Sequence, residues 1–206
     1  MTDLEQRLRN APAAELHRGA LGVALAQRAG KASVLDVAYA EIDSPIGELI
    51  VFVTPRGLLR VKYADEPIEG VLADVAARVS PRILRAPTRT DEARRQLEGY
   101  FGLRRRSFNL PIDWSLVHGF ATGVLRQTAR IPFGDVRTYG QVAAQAGSPR
   151  AARATGNALG SNPIPIVVPC HRVLHAGGGL GGYTGGLDRK RFLLRLEGAI
   201  APGVDR

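Results

Sequence analysis

Residues 138–159 read TYGQVAAQAGSPRAARATGNAL, and residues 162–173 read NPIPIVVPCHRV. The first stretch carries helical spacing over 138–146, and Gly147 supplies a turn. Ser148 suits an N-cap and Pro149 the first helical position, so a second helix is expected over 149–159. Two short helices joined by a tight turn with Gly form the helix-turn-helix pattern. Arg150 and Arg153 are three apart and share a face of that second helix. The rest of it, Ala151 and Ala152 included, is nearly all Ala, Gly and Thr. Such a helix suits close approach of its backbone to a nucleic-acid groove, with the arginines reaching outward. It suits tight packing of small residues against another helix equally well.

The second stretch holds the chemistry. Ile164 to Val168 is apolar and β-branched, so it reads as extended and buried, stiffened by Pro163, Pro165 and Pro169. It delivers Cys170, His171 and Arg172. A lone cysteine is commonly a small buried hydrophobe. Here a histidine and an arginine follow it, and their charge is expected to favour the nucleophilic thiolate. Adjacent side chains seldom touch, so a water between His171 and Cys170 is expected. His175 raises the thought of a metal site, but too few ligands are in sight. Residues 176–186 (AGGGLGGYTGG) hold seven glycines and one tyrosine. They match no phosphate-binding or dinucleotide pattern and read as a flap. A last helix is expected over 188–197, where Glu197 stands isolated among bases. It either orients a histidine or pairs with an arginine.

Upstream, the β-rich runs 34–42, 48–54 and 58–63, separated by short turns at 44–47 and 55–57, predict an antiparallel meander. Helices are expected over 68–79 and 90–101, with Asp91 and Glu92 in the first turn of the latter. Arg104 to Arg106 read as a solvated loop, and 107–114 as an extended connection. A helix over 117–130 stops at Ile131-Pro132. The organisation expected is a helical extension over 1–36, broken at Pro12 with a linker at 30–33, an α/β domain over 37–114 and a mostly helical domain over 115–206.

Composition bounds the function. The chain has 206 residues, 45% hydrophobic and 23% charged, within the globular range. A single cysteine excludes an internal disulfide framework and any multi-cysteine zinc cluster. The first residues lack a signal-peptide pattern, and no run approaches the roughly 20 apolar residues of a spanning helix. A soluble protein of the reducing cytoplasm is expected, with no membrane partner. The net charge is +9, and it is unevenly spread. Residues 1–36 and 37–114 carry +1 each, whereas 115–206, with 11 basic and 4 acidic residues, carries +7. Arginine outnumbers lysine 25 to 3, a mark of a GC-rich coding sequence. Such bias does not explain why acidic residues thin out only in the last part. A polyanion partner does.

Pro-Cys-His-Arg-Val at 169–173 resembles the active-site motif of the O6-alkylguanine-DNA alkyltransferases, the methylated-DNA–protein-cysteine methyltransferases. Other stretches fall at that family's spacing: Ile131 to Gly134, Thr138 to Gln141, Ala151 to Ala154, Asn162-Pro163, Tyr183 with Gly185-Gly186, and Leu196 to Gly198. Ser44 to Gly47 and Tyr100 to Gly102 through Leu110-Pro111 match its N-terminal domain. The resemblance spans about residues 37–200 and leaves the extension unmatched; the extension has no cysteines for a zinc-binding phosphotriester-repair domain. Leu125 stands where the family usually has Trp, and His118-Gly119 where it more often has Gly-Thr. Both departures concern packing.

The resemblance implies an α/β fold: a small ribonuclease H-like N-terminal domain with an antiparallel sheet, then a mostly helical domain with the helix-turn-helix. It implies a monomeric DNA-repair protein, without cofactor or metal, whose partner is double-stranded DNA containing O6-alkylguanine. Cys170 would take the alkyl group, O4-alkylthymine being a further substrate. His171 would activate it through water, Glu197 would hold the histidine tautomer, and Asn162 would organise the turns. Tyr139 would donate a proton toward guanine N3. Arg153 would enter the base stack in place of the flipped nucleotide, with Arg150, Ala151, Ala152 and Thr138 along the DNA. Pro165, Val168, Tyr183 and Thr184 would line the alkyl pocket. A thioether is a poor leaving group, so transfer would be stoichiometric. Two other classes fit parts of the pattern: a cysteine hydrolase, which does not explain the +7 half, and a DNA-binding module without chemistry.

Overall fold

The computed structural model describes residues 35–65 and 67–201; the helix expected over 3–28 and the linker at 30–33 lie outside them. Strands β1 (Val37–Ile42), β2 (Leu49–Thr54) and β3 (Gly57–Tyr63) form the expected meander. Tyr39 faces Phe52 across β1 and β2, and Val51 faces Val61 across β2 and β3. A fourth strand, β4 (Ile83–Arg85), follows helix α1 (Ile68–Arg78) and adds parallel to β1, giving the order β3-β2-β1-β4. The sheet is therefore mixed at one edge.

The two faces of the sheet follow the period-2 alternation of its strands. Val37, Tyr39, Ile50, Phe52 and Leu59 pack against Val71 and Val75 of α1. On the other face lie Ile42, Leu49, Val51, Leu58, Val61 and Tyr63. A register irregularity at Phe52/Val53 puts Leu58 and Val61 on that same side. Helix α2 (Pro87–Phe101) covers this face with Ala93, Leu97 and Tyr100. It begins at Pro87, a residue suited to a first turn, and so earlier than expected. Asp91 and Glu92 consequently fall in its second turn, paired with Arg94 and Arg95.

The connection after α2 runs extended beside β3: Leu58 N–H donates to Pro111 O and Asp113 N–H to Leu58 O, at 2.8 and 2.9 Å. A Cβ on Gly57, at φ +134°, would stand 2.1 Å from Pro111 O, so this approach requires glycine.

A 3-10 turn at Trp114–Leu116 leads to α3 (Phe120–Thr128), shorter than the expected 117–130. A short strand β5 (Arg137–Thr138) precedes α4 (Tyr139–Gln145). Thr138 caps α4 in a reciprocal box with Gln141, a Thr-x-x-Gln signal written in the sequence. Helix α5 spans Ala152–Gly160, three residues short of the expected start. Ser148 and Pro149 make a turn instead of a cap, with Ala151 N–H donating to Ser148 O. Arg150 therefore lies off the helix and does not share a helical face with Arg153. Residues 162–169 form turns, not a strand. A 3-10 turn at Cys170–Arg172, strand β6 (Val173–Leu174) parallel to β5, and α6 (Leu187–Leu196) complete the fold.

One hydrophobic core joins both parts. Leu49, Val51, Leu97 and Tyr100 pack in the same cluster as Val124, Leu125, Ile164, Val168, Cys170 and Leu193. Among the described residues no helix is long and apolar enough to cross a membrane.

Candidate active site

Asn162, just past α5, builds the turn that carries the cysteine. Its Oδ1 accepts from Ile164 N–H at 3.0 Å and its Nδ2 donates to Val168 O at 2.8 Å. Backbone bonds from Val168 N–H to Ile164 O and from Val167 N–H to Pro165 O tighten the same loop. Ile166 within it takes φ +74°, a left-handed conformation costly for a β-branched residue and held here by full burial. Polar loop atoms buried this deeply need partners, which Asn162 supplies.

The same Nδ2 lies 3.2 Å from Cys170 Sγ and donates to it. Cys170 is 5% exposed, and burial pushes its thiol up. The Asn162 donor, the Lys190 charge and the backbone amides of Cys170 and His171 oppose that rise. The expected help from Arg172 is absent. Its guanidinium turns away and grips the Glu197 carboxylate with two bonds of 2.8 Å, donating also to Ile131 O. A resting thiol, rather than a resting thiolate, is the species this surrounding favours.

His171 and Glu197 are fully buried side chains, with Nε2 3.0 Å from Oε1. Despite burial, His171 and Arg172 hold the Glu197 carboxyl down at about 2. An ionised carboxylate accepts only, so Nε2 carries the hydrogen and Nδ1 keeps its lone pair. Nδ1 has no hydrogen-bond partner among the described residues. Desolvation lowers the His171 pKa and keeps the ring neutral. The arrangement is a buried base of fixed tautomer next to a buried thiol.

Three contributors escaped the sequence reading. The Lys190 side chain is fully buried, its ammonium donating to Val173 O, Leu180 O and Gly182 O. It ties the flap to the segment after Cys170, and burial lowers it to about 8. A signal existed: Lys190, Leu193 and Leu194 share helical spacing with Glu197. Tyr100 and Tyr63 come from the N-terminal part. The Tyr100 hydroxyl donates to Glu197 Oε1 at 2.6 Å, and Tyr63 and Tyr183 share a hydroxyl–hydroxyl bond of 2.7 Å. Arg189 stacks on Tyr63 at 4.2 Å and pairs with Asp65 at 2.8 Å, fastening α6 to the sheet.

Cys170 opens into a cleft of about 750 Å³. Tyr139, Ala152, Arg153, Gly156, His175, Tyr183 and Thr184 stand around it. Burial and Cys170 raise the Tyr139 phenol, so it holds its proton. Thr184 donates to Gly160 O at 2.8 Å, joining flap to helix α5. Arg153 is exposed at the first turn of α5. Arg150, Ala151 and Thr138 do not line the cleft. Pro165 and Val168, expected on its wall, are buried and do not stand among the residues lining it. Among the described residues no cluster of His, Cys, Asp and Glu is arranged for a metal ion.

The chain matches the ribonuclease-like domain of 6-O-methylguanine DNA methyltransferase over residues 37–114 and that protein's DNA binding domain over 119–199. The chain belongs to this methyltransferase family. The methylated-DNA–protein-cysteine methyltransferase of Methanosarcina acetivorans is 39% identical over 161 residues, covering 78% of this chain and 98% of its own. That of Mycolicibacterium paratuberculosis is 40% identical, covering 81% and 95%. The Mycobacterium tuberculosis O6-methylguanine methyltransferase has a crystal structure that superposes with a TM-score of 0.68 at 38% identity, covering 82% of this chain and 96% of that one. The same protein in complex with DNA gives a TM-score of 0.67. The methyltransferase family is thus matched across both the sheet and the helix-turn-helix part.

Proposed function

We propose that this protein repairs duplex DNA by taking the alkyl group from O6 of guanine, or O4 of thymine, onto Cys170, once per molecule and as a monomer. The observation that carries the reading is the cysteine at the cleft floor, with a neutral His171 whose free nitrogen is fixed by Glu197. The Cys170 proton passes through a water to His171 Nδ1. Sulfur then attacks the alkyl carbon in line, forming the S–C bond as the C–O6 bond breaks. The electron pair leaves on the base, and the Tyr139 hydroxyl protonates it at N3; the proton held on His171 restores the phenol through solvent. Burial favours the transfer, since the charge on sulfur is spent as the bond forms.

A base with an O6 lesion pairs poorly, so extruding it costs less than extruding guanine. Arg153, at the cleft edge on a helix of small residues, fills the gap in the stack. The +7 of residues 115–206 supplies phosphate contacts. The product thioether is a poor leaving group, so the protein is consumed. The test is on the DNA side. A duplex with one O6-methylguanine is incubated with limiting protein and digested to nucleosides. Deoxyguanosine should reappear mole for mole with protein, the glycosidic bond intact. Release of free base, or restoration beyond one equivalent, contradicts the reading.

A further inference from the structure

Glu197 Oε1 is a junction. It meets His171 Nε2 at 3.0 Å, Arg172 Nη2 at 2.8 Å and the Tyr100 hydroxyl at 2.6 Å. The first two belong to the turn that carries Cys170. The third comes from the last turn of α2, on the N-terminal side of the molecule. Its ring sits in an aromatic box, with Phe101 and Phe108 at 5.3 Å and Phe133 at 6.0 Å. Phenylalanine would fill that box without bringing a polar atom into it. The hydroxyl is buried at its one acceptor, the carboxylate that orients the base.

We infer that Tyr100 is a positioning residue of the transfer site: its hydroxyl holds the Glu197 carboxylate and sets how strongly that carboxylate draws a proton onto His171. The inference rests on the alkyl-transfer reading above. Each donor to a carboxylate takes up part of its charge, leaving less for the others. The groups facing His171 are Glu197, Arg172 and Lys190 by charge, with Cys170 beside it and the Tyr183 ring edge-on at 6.4 Å. Tyr100 acts through Glu197. Burial and the carboxylate push its phenol far above the ordinary value, so it donates at every working pH. Removing the hydroxyl leaves more charge on Oε1, favours the imidazolium and demands a higher pH for the neutral base.

The readout is the pH–rate profile of transfer from free O6-benzylguanine, which needs no base flipping. Tyr100→Phe should move the acid limb up by about one pH unit, with a loss of about tenfold at its foot and the plateau kept. In a Glu197→Gln background the same substitution should change nothing further, because the charge it modulates is gone. Protein carrying 3-fluorotyrosine at position 100, of nearly the same shape and a more acidic phenol, should move the limb down; this probe decides the matter if Tyr100→Phe does not fold. An unmoved limb, a loss uniform across pH, or an equal shift in the Glu197→Gln background overturns the inference. Wild-type protein that takes up no benzyl group at any pH overturns the parent reading instead, and is seen before any variant is made.

Discussion

Glu197 decides which nitrogen of His171 is basic, and Asn162 decides how the sulfur is met. The Asn162 amide uses one hydrogen on Val168 O and the other on Cys170 Sγ. Asn162→Asp keeps the acceptor for Ile164 N–H, loses both donors and sets a carboxylate against the forming thiolate. Transfer from free O6-benzylguanine should fall by about 10- to 100-fold at neutral pH and recover partly in alkali; stopped-flow measurement across pH checks both. In the wild type, the lowered His171 pKa places the acid limb below the ordinary imidazole value of 6.5. Much of this cluster was legible as a set of residues that the fold brings together. Cys170, His171, Asn162 and Glu197 could all be named from the sequence. The direction of Arg172 could not. In a 3-10 turn successive side chains diverge by roughly 120°, so a cation two places from a thiol faces elsewhere. Tyr100 and Lys190 were hidden for another reason: their partners lie far along the chain or are backbone carbonyls, which leave no mark in a local pattern.

At the scale of elements, the proposed roles separate flipping from chemistry at Arg153, exposed on the small-residue helix α5 beside the cleft. Arg153→Ala should slow transfer from duplex DNA by about a hundredfold, the scale of a few kcal/mol for holding a base extruded, and leave the reaction with free O6-benzylguanine nearly unchanged. Cys170→Ser should abolish both, a serine hydroxyl being a far weaker nucleophile near neutral pH. Single-turnover rates on the two substrates separate these outcomes, and equal damage to both by Arg153→Ala would remove the finger role. The helix pair was readable from spacing and turn residues, but its second start was not. Ser148, Pro149 and Arg150 suit a turn as well as a cap, and the turn won. Strand β4 has three residues, too few for alternation to show. The loop 162–169 misled because β-branched runs signal burial as much as extension; Asn162, by satisfying the backbone internally, lets the chain curl.

For the whole molecule, the expected division near residue 115 does not divide the core, since β-sheet and helix-turn-helix residues pack in one cluster. The site is closed by hydroxyls from both sides of that line. Its buried charges predict an acid-sensitive fold. The unfolded chain takes up a proton at His171 below about 6.5 while the folded ring stays neutral, so stability falls as pH drops from there. Glu197, depressed from 4.5 to about 2, adds stability that is complete above 4.5 and is lost as pH falls toward 2. Urea unfolding across pH should show both phases, and Glu197→Gln should shrink the lower one without erasing it, because Asp113 is also held low by the hydroxyls and the arginine around it. The asymmetric charge predicts DNA affinity that drops roughly a thousandfold or more between about 50 and 200 mM salt, if six to ten phosphates are contacted; anisotropy titrations would expose a flat response.

On the proposed mechanism Cys170 itself is the acceptor and is used once. Intact-mass analysis after incubation with excess duplex carrying O6-methylguanine decides this. Every active molecule should gain a single methyl group, mapped to the peptide containing Cys170, with no further increase on longer incubation. Unchanged protein mass alongside continuing repair, or a methyl group on any other residue, would contradict it.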